Sequence, residues 1–279
     1  MSNRLLESPA APVLLITQDV AQRLETAEAI DAAGCAEAQR KVDPSCDATA
    51  KAIGGGVAVF CGAESPLTHS LGLGMHQPVS AEELDELEAF FHERGASVTV
   101  DLCPYSDQTL RDLLSDRGYR IVEFINVMVR TISRDDAVKA HPAIEVHQAC
   151  AEQDELYVKT VIGGFFGRED LTEQEVRLGT TLFHMPCTSG YLAWLEGEAV
   201  GGGGLSVRNK VASLFGDATR PAFRCRGVHS AIIRSRMIAA QQTDCELITA
   251  GAIPGSGSQR NYERLGFQVA YSKAIMVLE

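Results

Sequence analysis

A strand-like segment, a tight turn and a helix follow one another between residues 211 and 240. The segment reads Val-Ala-Ser-Leu-Phe at residues 211–215, the turn reads Pro-Ala-Phe-Arg-Cys-Arg-Gly-Val-His at residues 221–229, and an apolar helix follows from Ser230 to Ala240. This order is typical of α/β proteins, in which helices pack against a sheet. The first N–H groups of such a helix lack intrahelical acceptors and carry positive potential, so the sequence predicts an anion site at the turn.

The residues of the turn suit a phosphate group. Gly227 lets a ligand approach the backbone closely. Arg224 and Arg226 can donate charge-assisted hydrogen bonds to phosphate oxygens. We expect the ligand to contact Arg224, Cys225, Arg226, Gly227, Val228, His229 and Ser230.

A second motif, Tyr-Glu-Arg-Leu-Gly-Phe at residues 262–267, follows a predicted strand at residues 246–250. With both motifs in order, the chain resembles the GNAT superfamily of acyl-CoA-dependent N-acyltransferases over residues 143–279. That family carries an Arg/Gln-x-x-Gly-x-Gly/Ala pyrophosphate loop, which here begins at Arg224 and departs from the pattern at His229. The resemblance implies that acetyl-CoA is the co-substrate and that the His229 side chain points away from the phosphates.

The resemblance also implies roles for individual residues. The strand that ends at Ala218 and Thr219 is expected to splay from its neighbour, bind the pantetheine arm and direct the N–H near Ala218 at the thioester oxygen. Asn261 corresponds to a position that touches the cofactor arm, with an exposed helix asparagine as the alternative. Tyr262 corresponds to the general acid that protonates the leaving thiolate, with a packing role as the alternative. A phenol of pKa ~10 can protonate a thiolate whose thiol has a pKa near ~8.5 only at close range.

The sequence leaves the general base open. Asp217 lies on the strand that would line the site, His184 follows a helix on the acceptor side, and Glu169 and Asp170 are adjacent carboxylates. Ordered water could also remove the proton of the amine. Cys225 is not expected to be a nucleophile, because transfer in the family is direct and this position would lie under the phosphates.

The acceptor is expected beside residues 162–169, where glycines flank Phe165 and Phe166. This segment is either a mobile apolar lid with acidic neighbours that attract an ammonium group, or a plain helix–helix turn. The predicted reaction is transfer of an acetyl group to a primary amine of a small molecule. Alternatives are a non-catalytic acyl-CoA-binding sensor or interaction protein, and a peptide or protein N-acetyltransferase.

The first half repeats the pattern of the second half. With a shift of 148 positions, residues 118–119 align with the Gly-Phe at 266–267, and residues 80–93 align with the helix at 228–241. The residue identities are close to nil, so the match is one of pattern. It predicts a tandem fold.

The two halves differ where the phosphate would bind. Glu82 and Glu83 stand at the positions of Ser230 and Ala231, and carboxylates in a first helical turn would repel a phosphate. Ser80 and Glu83 also match a capping box, which satisfies the N–H groups of that helix. The first half is therefore predicted to be a degenerate GNAT-like domain without a cofactor site.

We predict an α/β (α+β) chain of two GNAT-like domains, each a mixed, mostly antiparallel twisted sheet flanked by helices. The degenerate domain spans residues 1–132, a polar linker spans 133–142, and the catalytic domain spans 143–279. The first half is expected to contain a helix at 18–33 with Thr17 as its N-cap. The second half is expected to contain helices at 152–164, 172–183, 228–241 and 257–265, strands at 143–147, 190–195, 199–207, 210–215 and 245–250, and a final pair of strands that ends at Leu278.

Composition limits the partners. The formal net charge of −12 argues against nucleic acid and favours a cationic substrate such as an amine. No stretch reaches the ~20 apolar residues that span a bilayer, and residues 1–8 lack the apolar core of a signal peptide, so a cytoplasmic protein is expected. The eight cysteines include no CxxC or metal-ligand spacing, so reduced thiols and no metal are expected. The sequence does not predict an oligomeric state.

Overall fold

The structure, a computed structural model, describes residues 14–134 and 136–279. Residues 1–13, which include the N-terminal segment that lacks a signal-peptide core, and Asp135 of the predicted linker lie outside the described residues. Among the helices of the described ranges, none is both long and apolar enough to cross a bilayer.

The helices are α1 (Gln18–Val42), α2 (Ala81–His92), α3 (Gln108–Asp116), α4 (Asp154–Phe166), α5 (Glu173–Phe183), α6 (Val228–Gln241) and α7 (Gly257–Arg264). The strands are β1 (Thr49–Ile53), β2 (Gly56–Phe60), β3 (His69–Leu71), β4 (Val98–Leu102), β5 (Arg120–Thr131), β6 (Glu145–Gln148), β7 (Thr188–Leu195), β8 (Glu198–Arg208), β9 (Val211–Thr219), β10 (Leu247–Ala252) and β11 (Gln268–Leu278).

These strands form one mixed sheet in the order β1-β2-β3-β4-β11-β5-β10-β9-β8-β7-β6. The pairs β3–β4 and β9–β10 are parallel, and the other neighbours are antiparallel. The order is symmetric about the β5–β11 pair, except that β6 has no counterpart among the described strands. The predicted mixed, mostly antiparallel sheet flanked by helices is confirmed.

The two halves of the chain exchange their last strands. β11, from the second half, pairs with β4 between residues 274–278 and 98–102. β5, from the first half, pairs with β10 between residues 126–131 and 247–252. Each half therefore completes the sheet of the other, and the division into domains at residues 132 and 143 stays a prediction. The described residues between β5 and β6 contain no helix or strand.

Helices cover both faces of the sheet. Along β5, Val127 and Val129 face α1, whereas Met128 between them faces α6 and α7. The same alternation holds at the end of β9, where Asp217 contacts α6 and Ala218 packs against α4. α2 and α3 pack on the β4 valines at positions 98 and 100. The helices on the two faces and the sheet between them form three layers, which bury these apolar strand residues.

Most predicted helices and strands are present, but the end of one helix and the count of C-terminal strands are wrong. The helix predicted at residues 18–33 continues to Val42, because Gly34 packs against Pro186 as part of a buried helix face instead of ending the helix. The predicted final pair of strands is the single strand β11, whose partners β4 and β5 belong to the first half. Thr17 caps α1 through a hydrogen bond from the Val20 N–H, and Ser80 and Glu83 form the predicted capping box of α2.

Candidate active site

The cleft of the site begins where β9 and β10 diverge. Parallel pairing joins residues 211–214 to residues 247–250 and then ends, although β9 continues to Thr219 and β10 continues to Ala252. The splay that the family resemblance implied for this strand is therefore present. It opens a space between two strand ends directly in front of α6.

A β-bulge shapes the end of β9. β8 pairs Gly202 with Ala218 and Gly204 with Phe215, so two residues of β9 face one residue of β8. One of the two is Gly216, whose φ of 63° lies in the left-handed region. Because a bulge bends its strand and redirects side chains, it accounts for the turn of Asp217 towards α6.

The N-terminus of α6 is open. Its N-cap is Gly227, with a φ of 87°, and no side chain caps the first turn. A Cβ at this glycine would also stand 3.0 Å from Nε2 of His141. Both the positive φ and the lack of space therefore favour glycine at this position. The corresponding helix α2 has its first N–H groups bonded by its capping box. The first turn of α6 is thus free to hold an anion, and that of α2 is not.

A cleft of about 720 Å³ lies between these elements. Nine of the predicted cofactor-binding residues line it: Ala218, Thr219, Arg224, Cys225, Gly227, Val228, His229, Ser230 and Asn261. The tenth, Arg226, does not line the cleft and forms an ion pair with Glu196 at 3.2 Å. The Arg224 guanidinium donates to the carbonyls of Gly164 and Thr219, at 3.0 and 3.2 Å, and so joins α4 to the end of β9.

Asp217 is the centre of a buried polar network at the inner wall of the cleft. Its Oδ1 lies 2.5 Å from Nη2 of Arg236, an ion pair without hydrogen-bond geometry. Its Oδ2 lies 2.9 Å from Nε2 of His229 and also accepts a hydrogen bond from the Tyr262 hydroxyl. Nδ2 of Asn261 lies 3.0 Å from the other ring nitrogen of His229. The contacts of its two ring nitrogens therefore hold the His229 imidazole towards β9 and α7.

Burial and charge shift two pKa values in this network in opposite directions. Burial alone would raise the pKa of Asp217, but the Arg236 charge and the bonds from His229 and Tyr262 outweigh it and lower that pKa to about 2. Burial, together with the Asp217 charge, raises the pKa of Tyr262 well above its usual value. Asp217 is thus ionised and Tyr262 is protonated across the physiological range.

Tyr262 does not line the cleft. Its side chain is 2% exposed, and its hydroxyl reaches the cleft wall only through Asp217. The other predicted base candidates lie away from the network. His184 bonds to Asp154 at 2.7 Å, Glu169 pairs with Arg220 at 3.3 Å, and neither residue nor Asp170 lines the cleft.

Sequence reasoning missed Arg236, which is fully buried. It donates to the Gly204 carbonyl at 2.7 Å as well as pairing with Asp217. The feature that points to it is its spacing, because it lies seven residues after His229 on the apolar face of α6 that carries Ile232 and Ile233.

The glycine run at residues 201–204 is explained by this network. The run lies inside β8, where the lack of side chains lets other groups approach the backbone closely. A Cβ at Gly203 would collide with Asp217 and Arg236, and one at Gly204 would collide with the Phe215 ring. The groups that approach the glycine backbone closely are therefore side chains of the protein itself.

A larger cavity of about 1190 Å³ adjoins the cleft, between α4, α5 and residues 61–67 of the first half. Phe165 lines both spaces, and Gly216 of the cavity precedes Asp217 of the cleft. Phe165 and Phe166, which are 66% and 41% exposed, form the last turn of α4 before its left-handed cap at Gly167. The segment predicted beside the acceptor is thus a helix end at the mouth of this cavity.

All eight cysteines are free thiols in the structure. Among the described residues, no group of three or more His, Cys, Asp or Glu side chains is placed to hold a metal ion.

Residues 154–267, from the start of α4 to the end of the Tyr-Glu-Arg-Leu-Gly-Phe motif, match the family model described as Acetyltransferase (GNAT) family. These residues are a GNAT-family domain. The family is one of acetyltransferases, and the match contains the splayed strands, the open helix end and the Asp217 network. A search of curated protein sequences finds no match.

Solved structures share the fold of this GNAT-containing chain. A GCN5-related N-acetyltransferase from Kribbella flavida aligns with a TM-score of 0.64 at 16% identity, over 88% of this chain and 95% of that one. A GCN5-related N-acetyltransferase from Sphaerobacter thermophilus aligns with a TM-score of 0.54 at 19% identity, over 71% and 67%. A tandem GNAT protein from the clavulanic acid biosynthesis pathway aligns with a TM-score of 0.53 at 13% identity, over 70% and 68%. At these identities the likeness concerns the fold alone.

Proposed function

We propose that this protein transfers an acetyl group from acetyl-CoA to a primary amine of a small molecule by direct attack. The observation that carries the proposal is the uncapped N-terminus of α6 behind Gly227, at the end of a cleft between two splayed strands. Free N–H groups and positive helix potential suit the diphosphate of CoA. Bound acetyl-CoA supplies an activated acetyl thioester.

In this proposal the residues of the cleft bind CoA along its length. Arg224, Cys225, Gly227, Val228 and the first turn of α6 up to Ser230 surround the diphosphate, with Arg226 at the outer edge. Ala218 and Thr219 lie beside the pantetheine arm on the splayed part of β9, and Asn261 lies across the cleft from them. His229 contributes its backbone N–H, because its ring is bonded to Asp217 and Asn261.

The first half, residues 1–132, is in this proposal a GNAT-like unit without a cofactor site, joined by residues 133–142 to the catalytic residues 143–279. The symmetric strand order supports the tandem arrangement. The capping box of Ser80 and Glu83 supports the missing cofactor site, because it occupies the N–H groups that a phosphate would need.

Tyr262 is proposed as the general acid, in the position that the family motif gives it. Its raised pKa keeps the phenol protonated, and Asp217 holds the hydroxyl behind the inner wall of the cleft. To protonate a thiolate, the hydroxyl must turn from Asp217 towards the cleft. Asp217 itself is a poor base, because a carboxylate of pKa about 2 with three partners does not take a proton near neutral pH. We therefore assign deprotonation of the amine to water.

Calorimetric titration of the purified protein with acetyl-CoA tests the proposal. The wild-type protein is expected to bind, and Ser230→Glu is expected to weaken binding about tenfold, because a carboxylate in the first turn of α6 repels the diphosphate. Ser230→Ala is the matched control and is expected to bind like the wild type. The melting temperature of Ser230→Glu should not fall, because the new carboxylate complements the helix dipole. No heat of binding in the wild-type protein would remove the proposed function.

Replacement of Tyr262 by phenylalanine separates a catalyst from an acyl-CoA-binding sensor. If Tyr262 is the acid, kcat is expected to fall about 10²-fold while the affinity for acetyl-CoA stays unchanged. Tyr119→Phe is the control, since it removes a buried hydroxyl bonded to Glu88 in the first half. The raised pKa of Tyr262 also predicts no loss of rate from its ionisation below pH ~10. A kcat equal to that of the control would exclude the acid role.

A further inference from the structure

The cavity beside the CoA cleft has the position of an acceptor site. The two spaces meet at Phe165 and at the β9 bulge, where Gly216 faces the cavity and Asp217 faces the cleft. A molecule in the cavity can therefore reach the point where the pantetheine arm would end. The volume of about 1190 Å³ exceeds the ~300–1,000 Å³ that is typical of small-molecule pockets, so the cavity has room for a large acceptor.

The walls of this cavity are mainly apolar. The apolar side chains that the second half contributes are Val161, Ile162, Phe165, Phe166, Leu178 and Leu182. Two of the charged groups on its rim are already paired, Glu175 with Arg168 and Arg177 with Asp43 at 3.5 Å. Glu64 and Glu173 form no ion pair with any described residue. The cavity thus offers a large apolar surface and two free carboxylates at its edge.

The first half provides the opposite wall. Residues 61–67 form a turn between β2 and β3, in which the Thr68 hydroxyl donates to the Gly62 carbonyl at 2.6 Å and accepts from the Cys61 N–H at 2.9 Å. The Ser65 N–H closes the same turn on the Gly62 carbonyl at 3.1 Å. This bonding fixes Glu64 and Leu67 against the cavity. The wall is therefore an ordered part of the site, although each helix described in the first half has its N-terminus capped by a side chain.

We infer that the acceptor is a primary amine with a large apolar body, bound between α4, α5 and residues 61–67 of the first half. This inference rests on the proposed function. An apolar body covers the solvent-exposed apolar surface of Phe165, Phe166, Leu178 and Leu182, which favours binding in proportion to the area covered. A polyhydroxylated or polycationic body would lose hydrogen bonds to water without replacement at these walls. Glu64 and the net charge of −12 attract the ammonium group.

The transfer balances without any further reactant. The amine nitrogen forms a bond to the acetyl carbon as the bond from that carbon to sulfur breaks. The ammonium gives up one proton before attack and the nitrogen gives up a second after it, while the thiolate takes one. The products are the N-acetylated amine, CoA with a free thiol and one proton in solution.

The specificity of the wild-type protein is the first test. With saturating acetyl-CoA, kcat/KM is measured by CoA release for octylamine and 2-phenylethylamine, and for spermidine and glucosamine as polar amines. The apolar amines are expected to exceed the polar ones at least about tenfold, because only they cover the apolar walls. A preference for spermidine or glucosamine would overturn this inference and leave the proposed function in place. No turnover with any amine, in protein that binds acetyl-CoA, would overturn both.

Two variants on one helix provide the second test. Leu178→Glu places a charge in the cavity wall and is expected to lower kcat/KM for octylamine at least about tenfold, without changing the KM for acetyl-CoA. Val176→Glu is the matched control, because Val176 is 43% exposed on α5 and does not line the cavity. Glu64→Gln is expected to raise the KM for both apolar amines, most strongly at low salt. Equal effects of Leu178→Glu and Val176→Glu would contradict the assignment of the cavity.

Discussion

Replacement of Arg236 by methionine is expected to lower the free energy of unfolding by about 3–5 kcal/mol, since it leaves a buried carboxylate without its cation. Arg236 is fully buried, pairs with Asp217 at 2.5 Å and donates to the Gly204 carbonyl at 2.7 Å. The change is measured by urea unfolding at neutral pH. Transferase activity is expected to fall as well, because Asp217 positions both His229 and Tyr262.

The double variant Arg236→Met with Asp217→Asn shows whether the unpaired charge is the cause. Removing the carboxylate together with its cation is expected to restore part of the lost stability, since the stranded charge is the larger penalty. Arg234→Met on the same helix is the control and is expected to unfold like the wild type, because the bond that Arg234 makes among the described residues is a long one, 3.4 Å to the Lys139 carbonyl. A double variant no more stable than Arg236→Met would contradict this explanation.

The pair of Asp217 and Arg236 also predicts how the free energy of unfolding depends on pH in the acidic range. In the wild-type protein the pKa of Asp217 is lowered from 3.8 to about 2, so its contribution to stability is present above pH 3.8 and is lost as the pH falls through 2. In Arg236→Met the carboxylate takes up a proton at a higher pH. The difference in unfolding free energy between variant and wild type should therefore shrink as the pH is lowered.

Replacement of Lys273 by methionine is expected to cost a similar amount, about 3–5 kcal/mol of unfolding free energy, at the contact between the two halves. Lys273 on the exchanged strand β11 is 1% exposed and lies 3.1 Å from Oε1 of Glu25 and 2.5 Å from Oε2 of Glu28, both on α1. The Tyr271 hydroxyl donates to the same Glu25 at 2.7 Å. Without the lysine, the carboxylates of Glu25 and Glu28 lie close together between α1 and β11 with no cation between them.

Lys210→Met is the matched control for this prediction. Lys210 pairs with Glu246 at 2.9 Å, but both side chains are about half exposed, so solvent screens the pair and little change is expected. Equal losses in the two variants would contradict a special role for the buried lysine.

The pH dependence of the Lys273 cluster has the opposite sign to that of Asp217. Burial, against the charge of Lys273, raises the pKa of Glu25 from 4.5 to about 7. The folded protein therefore holds a proton that the unfolded chain releases, and this group loses stabilising effect as the pH rises from 4.5 to about 7. The penalty of Lys273→Met should be larger at pH 8 than at pH 5.

The sequence predicted the elements of the second half because their patterns are local. The run from residue 228 to 241 is helical with the predicted bounds. The spacing of its apolar residues determines which face of the helix is buried, and the preceding Gly227 determines where the helix begins. The capping box of α2 and the open N-terminus of α6 also follow from neighbouring residues. Nine of the ten predicted cofactor-binding residues lie in one cleft for the same reason, because most of them belong to one turn. Their roles in binding stay predictions.

Contacts between distant residues could not be predicted in this way. Asp217 and Arg236 are 19 positions apart and on different elements, and only the glycine at position 203 leaves room for them to meet. The buried position of Tyr262 behind Asp217 has the same origin, since it depends on how α7 packs against the end of β9.

By itself, the sequence determined an α/β chain with helix ends of two kinds, one open to an anion and one closed by its own side chains, because capping depends on residues within one turn. Only the tertiary structure decided that the last strands are exchanged, that Arg236 neutralises Asp217, and that residues 61–67 close the cavity beside the cleft. These features depend on which surfaces meet after the chain has packed. Such contacts form between residues that are distant in the sequence and depend on how apolar area and charge are buried together, so no local sequence pattern predicts them.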